Sequence, residues 1–256
     1  MEIVFLGVGS SAGTPVIGCG CKTCLSADPR NRRTRCSIAV HMENGAVLLV
    51  DTGPDLRLQA LREKLTRVDA VLYTHYHADH LNGLDDLRSF CHLQRQPIPV
   101  YGNEATMQGI VQRFGYAFPQ HEQHHWDKPV LRAHAVDGPF AAGGVEVMPV
   151  PVMHGKHYEI LAYRIGNMAY LTDVSDISAA SMEKLQGLDI LLLDCLRYRP
   201  HPTHFSMEEA VAWAQKIGAR ETWLIHMTHE LEYAELSAKL PAGIRPAYDG
   251  LRLQCQ

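Results

Sequence analysis

Short apolar runs that alternate with polar turns and amphipathic stretches constrain the fold of this 256-residue chain most strongly. Short runs of this kind predict buried strands, and the amphipathic stretches predict helices. The alternation is typical of an α/β protein. Most predicted strands are followed by chemically active or turn residues, which favours a site built on loops at one edge of the sheets. The predicted strands are Ile3–Leu6, Ser37–His41, Ala46–Val50, Ala70–Tyr73, Val100–Tyr101, Val145–Pro149, Leu161–Ile165, Ala169–Leu171, Ile190–Leu193 and Thr222–Ile225. The predicted helices are Asp55–Leu65, Leu84–His92, Glu104–Arg113, Ile177–Leu185, Ser206–Ile217 and Glu230–Lys239.

Composition excludes several classes of protein. Hydrophobic residues make up 46% of the chain and charged residues 20%, values that argue against a disordered chain or a coiled coil. The net charge of −4 argues against a nucleic-acid-binding domain. We expect no membrane span, because no apolar run approaches the ~18 residues that one needs. The N-terminus has no basic region typical of a signal peptide, and the 7 cysteines are an odd number, so we expect reduced thiols and a cytoplasmic location.

The segment His75-Tyr76-His77-Ala78-Asp79-His80 concentrates metal-ligand side chains directly after a predicted buried strand. Alternate residues of an extended backbone share a face, so His75 and His77 can point the same way. A turn after His77 can bring Asp79 and His80 back toward the same volume. Imidazoles combined with a carboxylate suit zinc, iron or manganese.

This His-x-His-x-Asp-His segment resembles the signature of the metallo-β-lactamase superfamily. The resemblance implies an αββα sandwich with a metal site at one sheet edge, and it spans almost the whole chain, so we expect one domain over residues 1–256. Asp51-Thr52-Gly53 is similar to the family's D-x-G element, which supports the ligand loop. The positions of the remaining family ligands are matched by residues that each follow a short apolar run: His154, Asp173 and His226.

Carried over by position, the resemblance implies two active-site divalent ions, which can be zinc, manganese or iron. One would be held by His75, His77 and His154. The other would be held by Asp79, His80 and His226, with Asp173 between the two ions. Asp79 is thereby assigned to catalysis as well as to metal binding. Oxygen-reducing relatives usually carry glutamate at the position of His77, so the histidine argues against a redox role.

A second cluster of ligand-type residues is Cys19, Cys21 and Cys24, three thiols within six positions. A C-x-C-x₂-C pattern needs a fourth ligand to complete a tetrahedral structural zinc site. Within the superfamily, the pattern resembles the phosphodiesterases of the bacterial carbon–phosphorus lyase pathway, which implies His229 as that ligand. The zinc would tie the loop Ser10–Leu25 to the segment that carries His226. A set of redox-active thiols is the alternative.

The same subfamily resemblance assigns the general acid to His204, on the loop that precedes the helix at Ser206. His201, three residues earlier on that loop, is the rival candidate. The basic run from Arg30 to Arg35 is typical of a solvated face, although one of its arginines could contact a substrate phosphate. The stretch from His121 to His125 is interpreted as a solvated loop near the mouth of the pocket.

We therefore expect a metal-dependent phosphodiesterase that hydrolyses a small phosphate diester, with cyclic diesters favoured. The subfamily resemblance implies a ribosyl 1,2-cyclic phosphate or a 2′,3′-cyclic nucleotide as the substrate class. Three alternatives stay open: a tRNA 3′-processing endonuclease, a protein of the pyrroloquinoline-quinone-biosynthesis type, and a metal-binding accessory protein without turnover. The expected partner is a small phosphodiester substrate, with neither membrane nor nucleic acid, and a homodimer is compatible with the sequence.

Overall fold

The computed structural model describes residues 1–119 and 127–255 of the chain. Their strands form two seven-stranded mixed sheets. The predicted polar loop from His121 to His125 lies outside the described residues. No helix in the described part is long and apolar enough to cross a membrane.

The first sheet contains the N-terminal strands and one strand from the C-terminus, in the order β14-β1-β2-β3-β4-β5-β6. Helices α1 to α4 are inserted between its later strands. The strands are β1 (Glu2–Gly7), β2 (Ser37–His41), β3 (Val47–Val50), β4 (Ala70–Leu72), β5 (Ile98–Gly102), β6 (Leu131–Ala135) and β14 (Arg252–Gln254), and the helices are α1 (Leu56–Glu63), α2 (Ala78–Leu81), α3 (Arg88–Gln94) and α4 (Glu104–Arg113).

The second sheet has the order β13-β12-β11-β10-β9-β8-β7. Its strands β10 to β13 are parallel to one another, and β7 to β10 are joined antiparallel. The strands are β7 (Phe140–Ala142), β8 (Val145–Met153), β9 (Glu159–Ile165), β10 (Met168–Leu171), β11 (Ile190–Asp194), β12 (Glu221–Ile225) and β13 (Ile244–Pro246), and the helices are α5 (Ala179–Lys184), α6 (Met207–Ile217) and α7 (Tyr233–Lys239).

The main hydrophobic core lies between the two sheets. Alternate residues of β1 point to opposite faces, so Ile3 and Phe5 join the buried residues of the second sheet. Val4 and Leu6 face the other way and pack in a separate core with residues of α1, α3 and α4. Buried residues of α6 belong to the main core, which they join from the outer side of the second sheet. This four-layer arrangement is the αββα sandwich predicted from the sequence.

Helix α6 has sequence signals for both of its ends. Ser206 accepts a hydrogen bond from the Glu209 amide and Glu209 accepts one from Ser206, a reciprocal capping box that satisfies two amides at the helix start. Gly218 ends the helix at φ 72°, a conformation that glycine adopts without a steric penalty. Gly166-Asn167 forms a tight hairpin between β9 and β10, in which Ile165 pairs with Met168.

Four strands were not predicted from the sequence: β6, β7, β13 and β14. Each is short and close to a sheet edge. In β6 only Leu131 is buried, so neither alternation nor an apolar run marks it. The predicted helix Glu230–Lys239 begins later, at Tyr233, because Glu232 is its N-cap and accepts a hydrogen bond from the Glu235 amide.

Candidate metal centres and active site

The candidate site lies where loops leave the ends of strands in both sheets. Three of its residues have a positive φ although they are not glycine: Asp51 at 63°, Asp173 at 58° and His226 at 58°. Each lies one or two residues beyond the end of a strand, after β3, β10 and β12 respectively. Left-handed backbone is uncommon outside glycine and is concentrated at functional sites. It turns the side chains of Asp173 and His226 into one volume, where Asp173 Oδ1 and His226 Nε2 lie 3.4 Å apart.

The first group of candidate ligands consists of His75, His77 and His154, whose nearest ligand atoms all lie within 4.8 Å of one another. His75 Nε2 and His77 Nδ1 are 2.9 Å apart. His75 Nδ1 donates to the Thr74 hydroxyl, and His154 Nδ1 donates to the Thr203 carbonyl at 2.9 Å. These bonds fix the tautomers so that the other ring nitrogen is free to bind a metal.

The second group consists of Asp79, His80, Asp173 and His226, again within 4.8 Å of one another. His80 Nε2 lies 3.1 Å from Asp173 Oδ1 and 3.3 Å from Asp79 Oδ2. His226 Nε2 lies 3.4 Å from Asp173 Oδ1 and 3.6 Å from Asp79 Oδ2. Both Nε2 atoms are buried and have no hydrogen bond of normal geometry.

Asp51 accepts hydrogen bonds from residues of both groups' loops, in line with the supporting role that the D-x-G resemblance implied. Its carboxylate accepts hydrogen bonds from the amide and the hydroxyl of Thr74 and from His80 Nδ1, all at 2.8 Å. Gly53 completes the element, because a Cβ atom there would lie 2.3 Å from the Asp79 carbonyl oxygen. The loop that carries Asp79 and His80 can therefore pack against residue 53 only if that residue is glycine.

Charge in the second group favours a cation between its carboxylates. Burial alone would raise the pKa of Asp173, but His226 and His80 lower it well below its usual range. Burial alone would likewise lower the pKa of His80, but Asp173 and Asp79 raise it well above its usual value. In the first group, burial lowers the pKa values of the three histidines, so those rings are held neutral, as metal binding requires.

His204 and Asp194 lie beside the second group. The His204 ring stacks on His226 at 4.8 Å between centroids, and its Nδ1 is 3.4 Å from Asp194 Oδ1. Burial alone would lower the pKa of His204, but the charge of Asp194 and the hydrogen bond to it raise that pKa to about 9. His201 is further from the group, although its ring is 5.2 Å from that of His204.

Asp194 is a site residue that the sequence analysis missed. It ends β11, is fully buried, and places Oδ1 3.4 Å from both His204 Nδ1 and His226 Nδ1. Its Oδ2 accepts from the Phe205 amide. One carboxylate thus orients the candidate general acid and a candidate ligand together. The available signal was an acidic residue at the end of an apolar run, a position similar to that of Asp173, which the superfamily resemblance identified.

The three thiols of the cluster lie around His229, the residue that the subfamily resemblance implied as their fourth ligand. His229 Nδ1 lies 3.3 Å from the Sγ atoms of Cys19 and Cys21 and 3.6 Å from that of Cys24. The Cys24 amide and then His229 lower the pKa of Cys21 to about 6, a value at which thiolate is abundant at neutral pH. Four ligand atoms around one point match a closed, tetrahedral structural zinc site.

The basic run after the thiol cluster is only partly a solvated face. Arg33 is almost completely buried and donates to the carbonyls of Thr228 and Leu231 and to the Asn31 side chain. It therefore ties the N-terminal loop to the segment between β12 and α7. Cys195, which directly follows β11 and lies outside the thiol cluster, is fully buried.

The residues present fit divalent ions. The three groups combine imidazoles, carboxylates and clustered thiols, which are the donors that zinc, manganese and iron prefer. In the described residues, three buried imidazole nitrogens have no hydrogen-bond partner: His80 Nε2 and both ring nitrogens of His226. His75, His77 and His154 can hold one ion, and Asp79, His80, Asp173 and His226 can hold another.

Comparison with known proteins agrees with the fold. Residues 47–227 match the β-lactamase superfamily domain. A solved structure described as a new diphosphatase from the PhnP family is 43% identical, with a TM-score of 0.92, and the alignment covers 100% of this chain and 98% of that one. Zinc-bound PqqB from Methylobacterium extorquens is 21% identical over the full length of both chains, with a TM-score of 0.79, and shows the same fold.

A curated relative from Porphyromonas gingivalis, named octanoyltransferase, is 39% identical over 98% of this chain. The chain spans 51% of that relative, about half its length. Since the superfamily domain covers most of the chain and carries the His/Asp clusters described above, this protein belongs to the β-lactamase superfamily, has the metallo-β-lactamase fold and is similar to the PhnP-family diphosphatase.

Proposed function

We propose that this protein is a metal-dependent phosphodiesterase that hydrolyses small phosphate diesters, cyclic ones among them. The observation that carries the proposal is the position of His204. Its imidazole is stacked on His226 and lies 3.8 Å from Asp173, at the border of the two-ion site. A protonated imidazole at that position can supply the proton that a departing alkoxide needs.

The metal ligands in this proposal are those that the two groups bring together. His75, His77 and His154 would hold one ion, and Asp79, His80 and His226 the other, with Asp173 shared. When bound, two such ions supply an activated water and polarise the phosphoryl oxygens. Cys19, Cys21, Cys24 and His229 would hold one structural zinc, away from the chemistry.

The chain's own residues would orient the reaction. Asp51 holds His80 and Thr74 in place, and Asp194 holds His204 with Nδ1 facing its carboxylate. His204 Nε2 is therefore free to face the substrate, since Nδ1 is engaged by Asp194. The raised pKa of His204 keeps its ring protonated at neutral pH, which is the form that a general acid requires.

The relatives support a phosphorus–oxygen bond as the target. The 43% identical structure is described as a diphosphatase, whose substrate also contains such a bond. The name octanoyltransferase belongs to a protein about twice as long as the matched region, so it gives a weaker indication for this chain. We therefore propose small phosphate diesters ahead of acyl substrates.

The test combines metal analysis with hydrolysis assays on the purified chain. Bis(p-nitrophenyl) phosphate, 2′,3′-cyclic AMP and a precursor tRNA are assayed with zinc, manganese or iron added. About three metal ions per chain and turnover of the two small diesters are expected. Variant Asp173→Asn, which removes the shared carboxylate charge, should lower kcat about 100-fold or more, as expected for loss of a bound ion.

Each alternative gives a different result in that experiment. Cleavage of precursor tRNA without turnover of either small diester would overturn the proposal in favour of an endonuclease. Full metal occupancy with no hydrolysis of any of the three substrates would favour an accessory or cofactor-biosynthesis protein.

Variant Arg245→Met is the control for effects of substitution and purification as such. Arg245 lies on β13, an edge strand of the second sheet, so this variant should have the metal content and kcat of the unaltered protein.

A further inference from the structure

We propose that Cys36 is a positioning residue for the two-ion site. Its thiol holds the backbone of His226 in the conformation that directs the His226 ring toward Asp79 and Asp173. Cys36 belongs to none of the three groups of candidate ligands described above. It has this role only if His226 binds an ion, so the inference rests on the proposed function and adds to it a residue on which the second group depends.

Cys36 reaches His226 from the opposite sheet. It directly precedes β2, and its side chain lies in the main core with those of Ile38 and Val40, the alternate residues of that strand. His226 directly follows β12 of the second sheet. The His226 amide donates to Cys36 Sγ at 3.2 Å, and Cys36 is almost completely buried. One hydrogen bond therefore joins the first sheet to the backbone of a candidate ligand on the second.

The amide of His226 differs from the two amides that follow it. The Met227 amide donates to the Val8 carbonyl, and the Thr228 amide donates to the Leu196 carbonyl, both at 2.9 Å. Those acceptors are backbone atoms, which every residue type provides. The His226 amide donates to a side chain instead, so its hydrogen bond depends on which residue faces it. A buried amide that loses its acceptor is strongly unfavourable.

The conformation of His226 requires such a restraint. Its φ of 58° lies in the left-handed region, which residues other than glycine keep only where their surroundings fix them. In the part of the chain that the structure describes, neither ring nitrogen of His226 has a hydrogen-bond partner. The direction of the ring therefore depends on its backbone and on stacking against His204. Release of the amide would allow Nε2 to move from its position 3.4 Å from Asp173 Oδ1.

The next residue along the chain makes a corresponding contact within the first sheet. The Ser37 hydroxyl is buried and donates to the Asp51 carbonyl at 2.9 Å. Asp51 is another of the left-handed site residues, with φ 63°. Two adjacent side chains, Cys36 and Ser37, thus bond to the backbones of two strained residues of the site. A residue that only filled the core would need no such polar contact, which favours a positioning role for Cys36.

The test measures metal binding by the purified chain without any substrate. One zinc ion per chain is first added to fill the thiol cluster, since thiolates select zinc, and manganese, which suits carboxylates, is then titrated. Free manganese is measured by electron paramagnetic resonance. In Cys36→Ala we expect the affinity for one of two manganese ions to fall about ten-fold or more, as for loss of a group that orients a ligand. In Cys36→Ser, whose hydroxyl can accept from the same amide, part of the affinity should return.

A second measurement reports on the backbone directly. Hydrogen exchange of the His226 amide should be faster in Cys36→Ala before any manganese is added, because the amide has lost its acceptor. The matched control is Cys91→Ala. Cys91 is also a fully buried cysteine, but it lies on α3 and its Sγ is 3.5 Å from the Val130 carbonyl oxygen. Its substitution should change neither the manganese affinity nor the exchange at His226.

Three results would overturn the inference. The first is unchanged manganese affinity and exchange in Cys36→Ala. The second is an equal loss of affinity in Cys36→Ala and Cys36→Ser, which would mean that the size of the sulfur matters rather than its hydrogen bond. The third is the same loss in Cys91→Ala, which would indicate a general effect of core packing. A chain that gives the expected binding results but hydrolyses none of the test diesters would instead contradict the proposed function alone.

Discussion

Single residues set the geometry of the candidate site through uncommon backbone conformations. Asp51, Asp173 and His226 all adopt the left-handed region, which costs roughly 1–2 kcal/mol per residue outside glycine. Among residues 1–119 and 127–255, the two other non-glycine residues with positive φ are Lys64 and Arg95, which end helices, where this conformation is common. The strain is thus confined to helix ends and to the site, where it directs the side chains of strand-end residues toward the same volume.

At this scale, the role of His204 is directly testable. Variant His204→Ala should lower kcat by about 100-fold or more for a diester with a poorly leaving alkoxide, because the proton donor is lost. The loss should be much smaller for bis(p-nitrophenyl) phosphate, since p-nitrophenolate departs without a proton. The measurement is the steady-state kcat for both substrates with metal content checked for each preparation.

His201→Ala is the paired variant, because His201 lies on the same loop and its ring is close to that of His204. If His201→Ala shows the leaving-group-dependent loss and His204→Ala does not, the assignment of the general acid is wrong. An equal loss for both substrates in His204→Ala would mean that His204 supports the metal site rather than proton transfer.

At the scale of elements, the thiol cluster connects the N-terminal loop to the end of β12. His226 and His229 are three residues apart, so one short segment serves two candidate metal sites. Arg33 reinforces this connection through the Thr228 and Leu231 carbonyls. The Ser10 amide also donates to the Met227 carbonyl at 3.2 Å. Loosening the thiol cluster would therefore loosen the segment that holds His226.

Variant Cys21→Ser tests this coupling. We expect the metal content to fall by about one ion per chain, because a structural zinc needs all four ligands. Amide hydrogen exchange should become faster in residues 10–25 and around His226, and kcat should fall moderately, by less than in the His204 variant. Cys91→Ala, which removes a buried thiol outside both clusters, is the control and should keep the full metal content. Unchanged exchange around His226 in Cys21→Ser would contradict the coupling.

The sequence predicted the ligand clusters whose residues lie close together along the chain. The His75–His80 segment and the cysteine triplet place several ligand-type residues within a few positions, so spacing alone marked them. Asp194 was missed because it is a single carboxylate whose partners, His204 and His226, are 10 and 32 residues away. Edge strand β6 was missed because its pairing with β5 depends on backbone hydrogen bonds, which carry no side-chain pattern.

At the scale of the whole molecule, the candidate two-ion site joins the two sheets. His75 and the residues up to His80 follow β4 of the first sheet, whereas His154, Asp173 and His226 follow strands of the second. The main core also lies between the sheets. Bound ions would therefore add cross-links at one edge of the core, and their binding free energy would contribute to the free energy of unfolding.

Removal of the metal should accordingly lower the thermal stability of the whole chain. An ion present at a thousand times its Kd stabilises the folded state by about 4 kcal/mol, and a chain of this size loses roughly 2–4 °C in Tm per kcal/mol. We expect chelation to lower Tm by about 10 °C or more, and added zinc or manganese to restore it. The Cys21→Ser variant separates the two sites, because its remaining metal-dependent shift comes from the two-ion site alone. A Tm that stays constant while metal analysis shows complete removal would mean that the two sheets are held together by the core without help from the ions.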